Sequence, residues 1–153
     1  MKPVRTEIII PAPAEAVWRV ITDFEDYHAW NSFTPRITLR NRDFAVGAEF
    51  DLDCRMSMRE FLENEHETVL AIEPERFGLC MGTSRTRGRP GIKSFRWQIC
   101  EPLEDGRTRF INYEEFRGPL APLVYALYAK KLKTAFEAYC DALRSRVESL
   151  SAG

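Results

Sequence analysis

The chain has 153 residues, 44% hydrophobic and 29% charged, the length and composition of one folded domain with a packed core. Lys and Arg number 22 against 23 Asp and Glu, a formal net charge of −1, which argues against a dedicated nucleic-acid binder. No apolar run approaches the ~20 residues of a membrane-spanning helix, and the first residues, interrupted by Pro11 and Pro13, lack the pattern of a signal peptide. The expectation is a single cytoplasmic domain over residues 1–153, without integral membrane association.

Val4 to Ile10 is rich in β-branched residues and predicts a strand, with Val4, Thr6, Ile8 and Ile10 on its inner face. Pro11 and Pro13 stop it, and Pro13 suits the first turn of a helix over 14–21 that carries Val17, Trp18 and Ile21 on one side. Asp23 starts a second short helix, its carboxylate placed to accept first-turn N–H groups, with Phe24, Tyr27 and Trp30 on the apolar side.

A β region follows. Phe33 to Arg40 predicts a strand. Phe50, Leu52, Cys54, Met56 and Met58 then alternate with polar residues, the cleanest period-2 pattern in the chain. Further strands are predicted over 66–72, 76–81, 92–100 and 107–116. In the first of the last two, Phe95, Trp97 and Ile99 share a face. In the second, Phe110, Asn112, Glu114 and Phe116 do. Seven strands in hairpin succession imply a largely antiparallel sheet. Pro119 and Pro122 open a long final helix, whose apolar stripe runs from Leu123 and Leu127 through Phe136, Tyr139 and Leu143 to Val147. Leu120, Val124, Tyr128 and Leu132 widen it, and burial of so broad a stripe calls for the sheet as partner.

Cys54, Cys80, Cys100 and Cys140 are dispersed without a CxxC pair, so reduced, buried thiols are expected rather than zinc ligands or a redox centre. His28 and His66 have no companion ligand at metal-binding spacing, and neither a metal nor a cofactor is expected.

Several short pieces occur in order: Ala12-Pro13-Ala14-Glu15-Ala16-Val17-Trp18; Thr22-Asp23-Phe24 through Tyr27 to Trp30-Asn31; Val46-Gly47; Ile72-Glu73-Pro74; Thr108-Arg109-Phe110; and Glu114-x-Phe116-x-Gly118 before the last helix. With the order of elements, they resemble the START/polyketide-cyclase (SRPBCC) superfamily over nearly the whole chain, in particular its small bacterial polyketide cyclase/dehydrase-like branch. The resemblance implies an α+β helix-grip fold: a seven-stranded curved antiparallel sheet around a long C-terminal helix, with two short helices after the first strand. It also implies a cavity between sheet and helix that takes a hydrophobic or aromatic small molecule. Two positions depart from the pattern: Asn112 stands where some relatives carry His, and Pro119 where many have an aliphatic residue.

Glu114 is the candidate acid/base. A carboxylate on an apolar, cavity-facing strand face has its pKa raised by desolvation. The alternative is a structural carboxylate bonded to backbone N–H groups of the short helices. Asn112 could orient a ligand carbonyl, or be a satisfied buried amide. Trp30, Asn31 and Phe33 are placed at the cavity rim. Met56, Met58, Phe95, Trp97, Phe110, Phe116 and Tyr128 are placed along its walls. Arg85, Arg87, Arg89 and Lys93 form the one local basic cluster. It lacks interleaved aromatic residues and reads as a solvated hairpin loop rather than a nucleic-acid contact. The functional expectation is a carrier or sensor of a hydrophobic small molecule. The alternatives are a cyclase/dehydrase-like enzyme using Glu114, and an interaction module, for which no exposed apolar patch is legible.

Overall fold

The computed structural model describes residues 1–152. Seven strands form one antiparallel sheet in the order β1-β7-β6-β5-β4-β3-β2. They are β1 (Val4–Ile10), β2 (Arg36–Leu39), β3 (Glu49–Arg55), β4 (Phe61–Glu73), β5 (Gly78–Thr83), β6 (Lys93–Pro102) and β7 (Thr108–Arg117). Consecutive strands are hairpin neighbours from β2 to β7, and β1 closes against β7 with Val4 opposite Glu114. Helix α1 (Ala14–Thr22) and a 3₁₀ turn (Phe24–Ala29) separate β1 from β2, and α2 (Ala121–Ala152) ends the described chain.

The sheet curls about α2. Lys133 of the helix donates to the Arg5 carbonyl on β1, while Lys131 reaches Glu60 at the start of β4, so one helix touches both flanks. Two β-bulges, between Leu52 and Cys54 and between Val69 and Ala71, accompany this curvature. The core lies between the inner sheet face and the second half of α2, where Leu132, Phe136, Tyr139, Cys140, Leu143 and Val147 are buried. Val17 and Ile21 of α1 and Ile10, Phe50, Leu79 and Phe110 of the sheet complete it. All four cysteines are buried free thiols. Among the described residues, no helix is long and apolar enough to cross a membrane.

Several expected boundaries and contacts shift. Phe33 precedes β2 rather than opening it, because the Asn31 carboxamide oxygen accepts the Phe33 and Thr34 N–H groups and turns the chain there. The clean alternation ends as strand at Arg55. β4 begins at Phe61, five residues before the expected start, in a charge-rich run whose pairing partners on β3 supply the order. Pro74–Arg76 forms a turn, which moves β5 two residues along. The Asp23 carboxylate makes no capping bond; its backbone carbonyl accepts the Asp26 N–H instead. The largest difference is at the entry to α2: Leu120, Leu123 and Leu127, expected in the buried stripe, are exposed.

Candidate functional site

A cavity of about 300 Å³ opens between the concave sheet face, the Ser84–Ile92 loop and the first turns of α2. The loop is fixed to the helix start by close backbone packing. The Leu120 N–H donates to the Gly91 carbonyl, and a Cβ on Gly118, whose φ is +107°, would lie 2.6 Å from that same oxygen. Met56, Leu62, Ile92, Phe116, Val124 and Leu132 form an apolar wall of the cavity, and Asn64, Glu65, His66, Arg87 and Arg89 line another side. The inner part is polar, with Glu67, Thr83, Ser94, Arg96 and Glu114. Phe33, Cys54, Glu67 and Arg96 also border a small void of about 20 Å³ that continues toward Tyr27 and Tyr139, so the polar end is the deep end.

Arg96 organises this end. On β6 it stands directly opposite Glu114 on β7. Its guanidinium lies over the Phe33, Phe136 and Tyr139 rings at 4.9, 4.6 and 4.7 Å. Its Nε donates to Asn112 Oδ1 at 2.8 Å, and Asn112 Nδ2 in turn donates to Thr6 Oγ1 at 3.3 Å. Tyr139 donates its hydroxyl to Gln98. One terminal nitrogen of Arg96, Nη2, is buried and finds no hydrogen-bond partner among the described residues. A guanidinium stays charged at any physiological pH, so this is a fixed cation with a free donor.

The two carboxyls respond to that environment. Desolvation pushes Glu114 up to about 7, helped by the neighbouring Glu67 and opposed by Arg96 and a hydrogen bond from Ser94. Glu67 is also raised by burial, with Arg96 opposing and Glu65 reinforcing. Both carboxyls are thus held above the ordinary carboxylate range, Glu114 close to neutral pH. The arrangement can donate or accept a proton and can hydrogen-bond a ligand oxygen through Arg96.

The structure brings Phe33, Met56, Phe116, Tyr128 and Glu114 together on the cavity and separates the other expected residues from it. Met58 sits on the turn between β3 and β4, 95% exposed, because the strand that would have carried it inward has ended. Phe95 and Trp97 lie on the convex face, covered by Arg117 and Arg76. β6 turns Ser94, Arg96 and Gln98 inward, the opposite of the expected facing. Phe110 is solid core against Tyr139. Asn112 is fully buried and spends its amide on Arg96 and Thr6, so it positions the arginine rather than lining the cavity. Asn31 is the turn-forming amide described above, and Trp30 packs on Tyr27 and Tyr139.

Arg96, Glu67 and Ser94 were missed. A signal was present: Ser94, Arg96 and Gln98 alternate opposite an inward face that carries Asn112 and Glu114, and two adjacent polar faces can pair inside a cavity. The basic loop also differs from the solvated hairpin expected. Arg87 and Arg89 border the cavity, Arg87 donating to Asp51 at 2.7 Å and Arg89 pairing with Glu65. His66 meets the same Asp51 at 2.8 Å.

Comparison with known proteins agrees with this architecture. The family described as "Polyketide cyclase / dehydrase and lipid transport" matches residues 1–148. A curated relative, oxopyrrolidines biosynthesis cluster protein O of Penicillium oxalicum, is 24% identical, over 92% of this chain and 83% of its own. Among solved structures, TTHA0849 from Thermus thermophilus superposes with a TM-score of 0.76 at 19% identity, covering 98% of this chain and 99% of that one. The Zhui aromatase/cyclase from Streptomyces sp. R1128 superposes with a TM-score of 0.68 at 16% identity, covering 96% and 93%. At these identities the structures share the helix-grip fold.

Proposed function

The chain belongs to the polyketide cyclase/dehydrase and lipid transport family, and on that premise we propose that its cavity binds an apolar, oxygen-bearing small molecule and performs acid/base chemistry on it, of the cyclase or dehydrase kind. One observation carries this reading: Glu114, poised near pH 7, shares with Glu67 and the fixed cation Arg96 the deep end of a cavity that has an apolar wall. The ionised Glu114 removes a proton from carbon next to a carbonyl. The protonated form returns one to a departing hydroxyl. Arg96 Nη2 hydrogen-bonds the oxygen on which negative charge grows. The apolar wall holds the rest of the molecule and keeps bulk water away from the reacting end. A curated relative named for a biosynthetic cluster and a neighbour named as an aromatase/cyclase support this direction.

Binding without turnover is the second reading, favoured by the apolar wall of Met56, Leu62, Ile92, Phe116, Val124 and Leu132. One series of measurements separates the two. Native mass spectrometry of the purified protein, followed by denaturation, identifies any retained compound, and turnover of that compound and its hydroxylated or carbonyl analogues is followed by chromatography. Glu114→Gln is expected to keep affinity within a few-fold and to lower turnover by about 10²–10⁴. Unchanged turnover removes Glu114 from the chemistry, and saturable binding with no turnover by the unaltered protein establishes the carrier.

A further inference from the structure

Three segments surround the cavity mouth: the turn into β4 (Arg55–Leu62), the loop after β5 (Ser84–Lys93) and the entry to α2 with its first turns (Leu120–Lys131). They are in contact with one another, through Lys131 with Glu60 and through Leu120 with Gly91. Most of the large apolar side chains that the molecule exposes are here: Met58, Phe61, Leu62, Leu120, Leu123, Leu127 and Tyr128, against Met1, Val46 and Leu150 elsewhere among the described residues. Met58 is 95% exposed, and Leu123 and Leu127 are 58% each. The same segments hold eight cations; Arg87, Arg89 and Lys131 are paired with Asp51, Glu65 and Glu60, while Arg55, Arg59, Arg85, Lys93 and Lys130 have no carboxylate partner among the described residues, in a chain whose net charge is −1. A charge-balanced protein has thus gathered both its exposed apolar side chains and a local basic excess around one opening.

From this segregation we infer that the mouth docks on an anionic lipid bilayer, with the leucines at the start of α2 and Met58 inserted among the acyl chains and the cations against the phosphates. Leu120, the residue before α2, and Leu123 and Leu127 within it follow one another at three- and four-residue spacing, so they form one ridge at its start. The apolar side chains protrude from a helix ridge and a turn tip instead of forming a flat patch. An interfacial membrane contact requires apolar groups that project and cations that stay at headgroup level. Basic and aromatic side chains are interleaved at this rim: the Arg55 guanidinium lies over the Phe61 ring at 5.0 Å, and the Lys131 ammonium, bonded to Glu60, lies 5.8 Å from the Tyr128 ring. A protein partner would need a matching cavity for each projecting side chain, whereas a fluid bilayer adapts to all of them. Docked this way, the cavity opens onto the lipid phase from which an apolar ligand would come. That role for the contact rests on the ligand-binding reading; the docking does not require turnover.

The test is co-sedimentation of the full chain with phosphatidylcholine vesicles, with and without one quarter phosphatidylglycerol. The expected result is binding to the anionic vesicles at least about tenfold above the zwitterionic ones, weakened as salt shortens the screening length. The double variant Leu123→Glu/Leu127→Glu and the single variant Arg85→Glu should each lower binding several-fold while leaving the melting temperature in place. Glu114→Gln should bind vesicles normally, so failure of docking and failure of the acid/base reading fall on different assays. Absence of binding to the anionic vesicles overturns the inference. So does binding that the leucine variant leaves unchanged. A dimer seen by light scattering and dissolved by the leucine variant would assign the ridge to a second copy of the chain and overturn it too.

Discussion

The two ends of α2 carry similar apolar spacing and do opposite things. From Leu132 to Val147 the helix turns its stripe into the sheet and is buried. From Leu120 to Tyr128 the stripe divides: Val124 and Tyr128 border the cavity, while Leu120, Leu123 and Leu127 face outward. One end makes the fold and the other makes the opening. The difference teaches that a continuous amphipathic pattern sets how a helix can be used, while the shape of the sheet sets how far along it the core extends. Where the sheet closes on the helix, side chains interdigitate. Where it flares, the same residue types are left around a space.

Substitutions at the closed end, at the boundary and at the open end break or sharpen this contrast. Phe136→Ala removes a fully buried ring that packs on Phe33 and on the Arg96 guanidinium. It is expected to destabilise the protein by about 3–5 kcal/mol in urea titration. A small loss would mean that the closed end is looser than its packing implies.

Glu114→Gln probes the boundary. Because burial raises the carboxyl in the folded state from an ordinary 4.5 to about 7, the folded protein holds a proton there that the unfolded chain has already released between those values. Stability therefore falls as pH rises from about 4.5 to about 7 and is level with respect to this group above that. The glutamine variant lacks the penalty. It should be more stable than the parent at pH 8, by on the order of 1–3 kcal/mol, with the gain shrinking toward zero near pH 4.5. Thermal melts across that range check it, and a gain independent of pH would separate the effect from ionisation. Stability regained on neutralising a residue is what a group retained for chemistry predicts.

At the open end, Leu127→Ser is expected to change stability by less than about 0.5 kcal/mol, since its side chain is exposed. A loss comparable with that of Phe136→Ala would restore the single buried stripe expected from the sequence.

Part of the site was legible. Glu114 and Phe116 fall on the inward face of β7 because its alternation is regular and β1 and β6 pair with it in simple register. On β6, alternation separated Phe95, Trp97 and Ile99 from Ser94, Arg96 and Gln98 but carried no sign. Burial of aromatics is the ordinary choice, yet here the aromatic row is shielded on the convex side by Arg76 and Arg117, and the polar row builds the deep end of the cavity. Met58 failed for a different reason. Its alternation continued past the end of hydrogen-bonded pairing, and a side chain keeps a strand's facing only while the strand lasts.

The sequence by itself determined the order of elements, their antiparallel connection and the long terminal helix, because hydrophobic period, proline stops and hairpin spacing are local properties of the chain. Which face of β6 looks inward, where α2 stops being core, and the meeting of Glu67, Arg96 and Glu114 from three strands were decided only by the tertiary structure. These depend on contacts between residues as far apart as Thr6 and Asn112, and on the curvature of a sheet around a helix, neither of which a local pattern encodes.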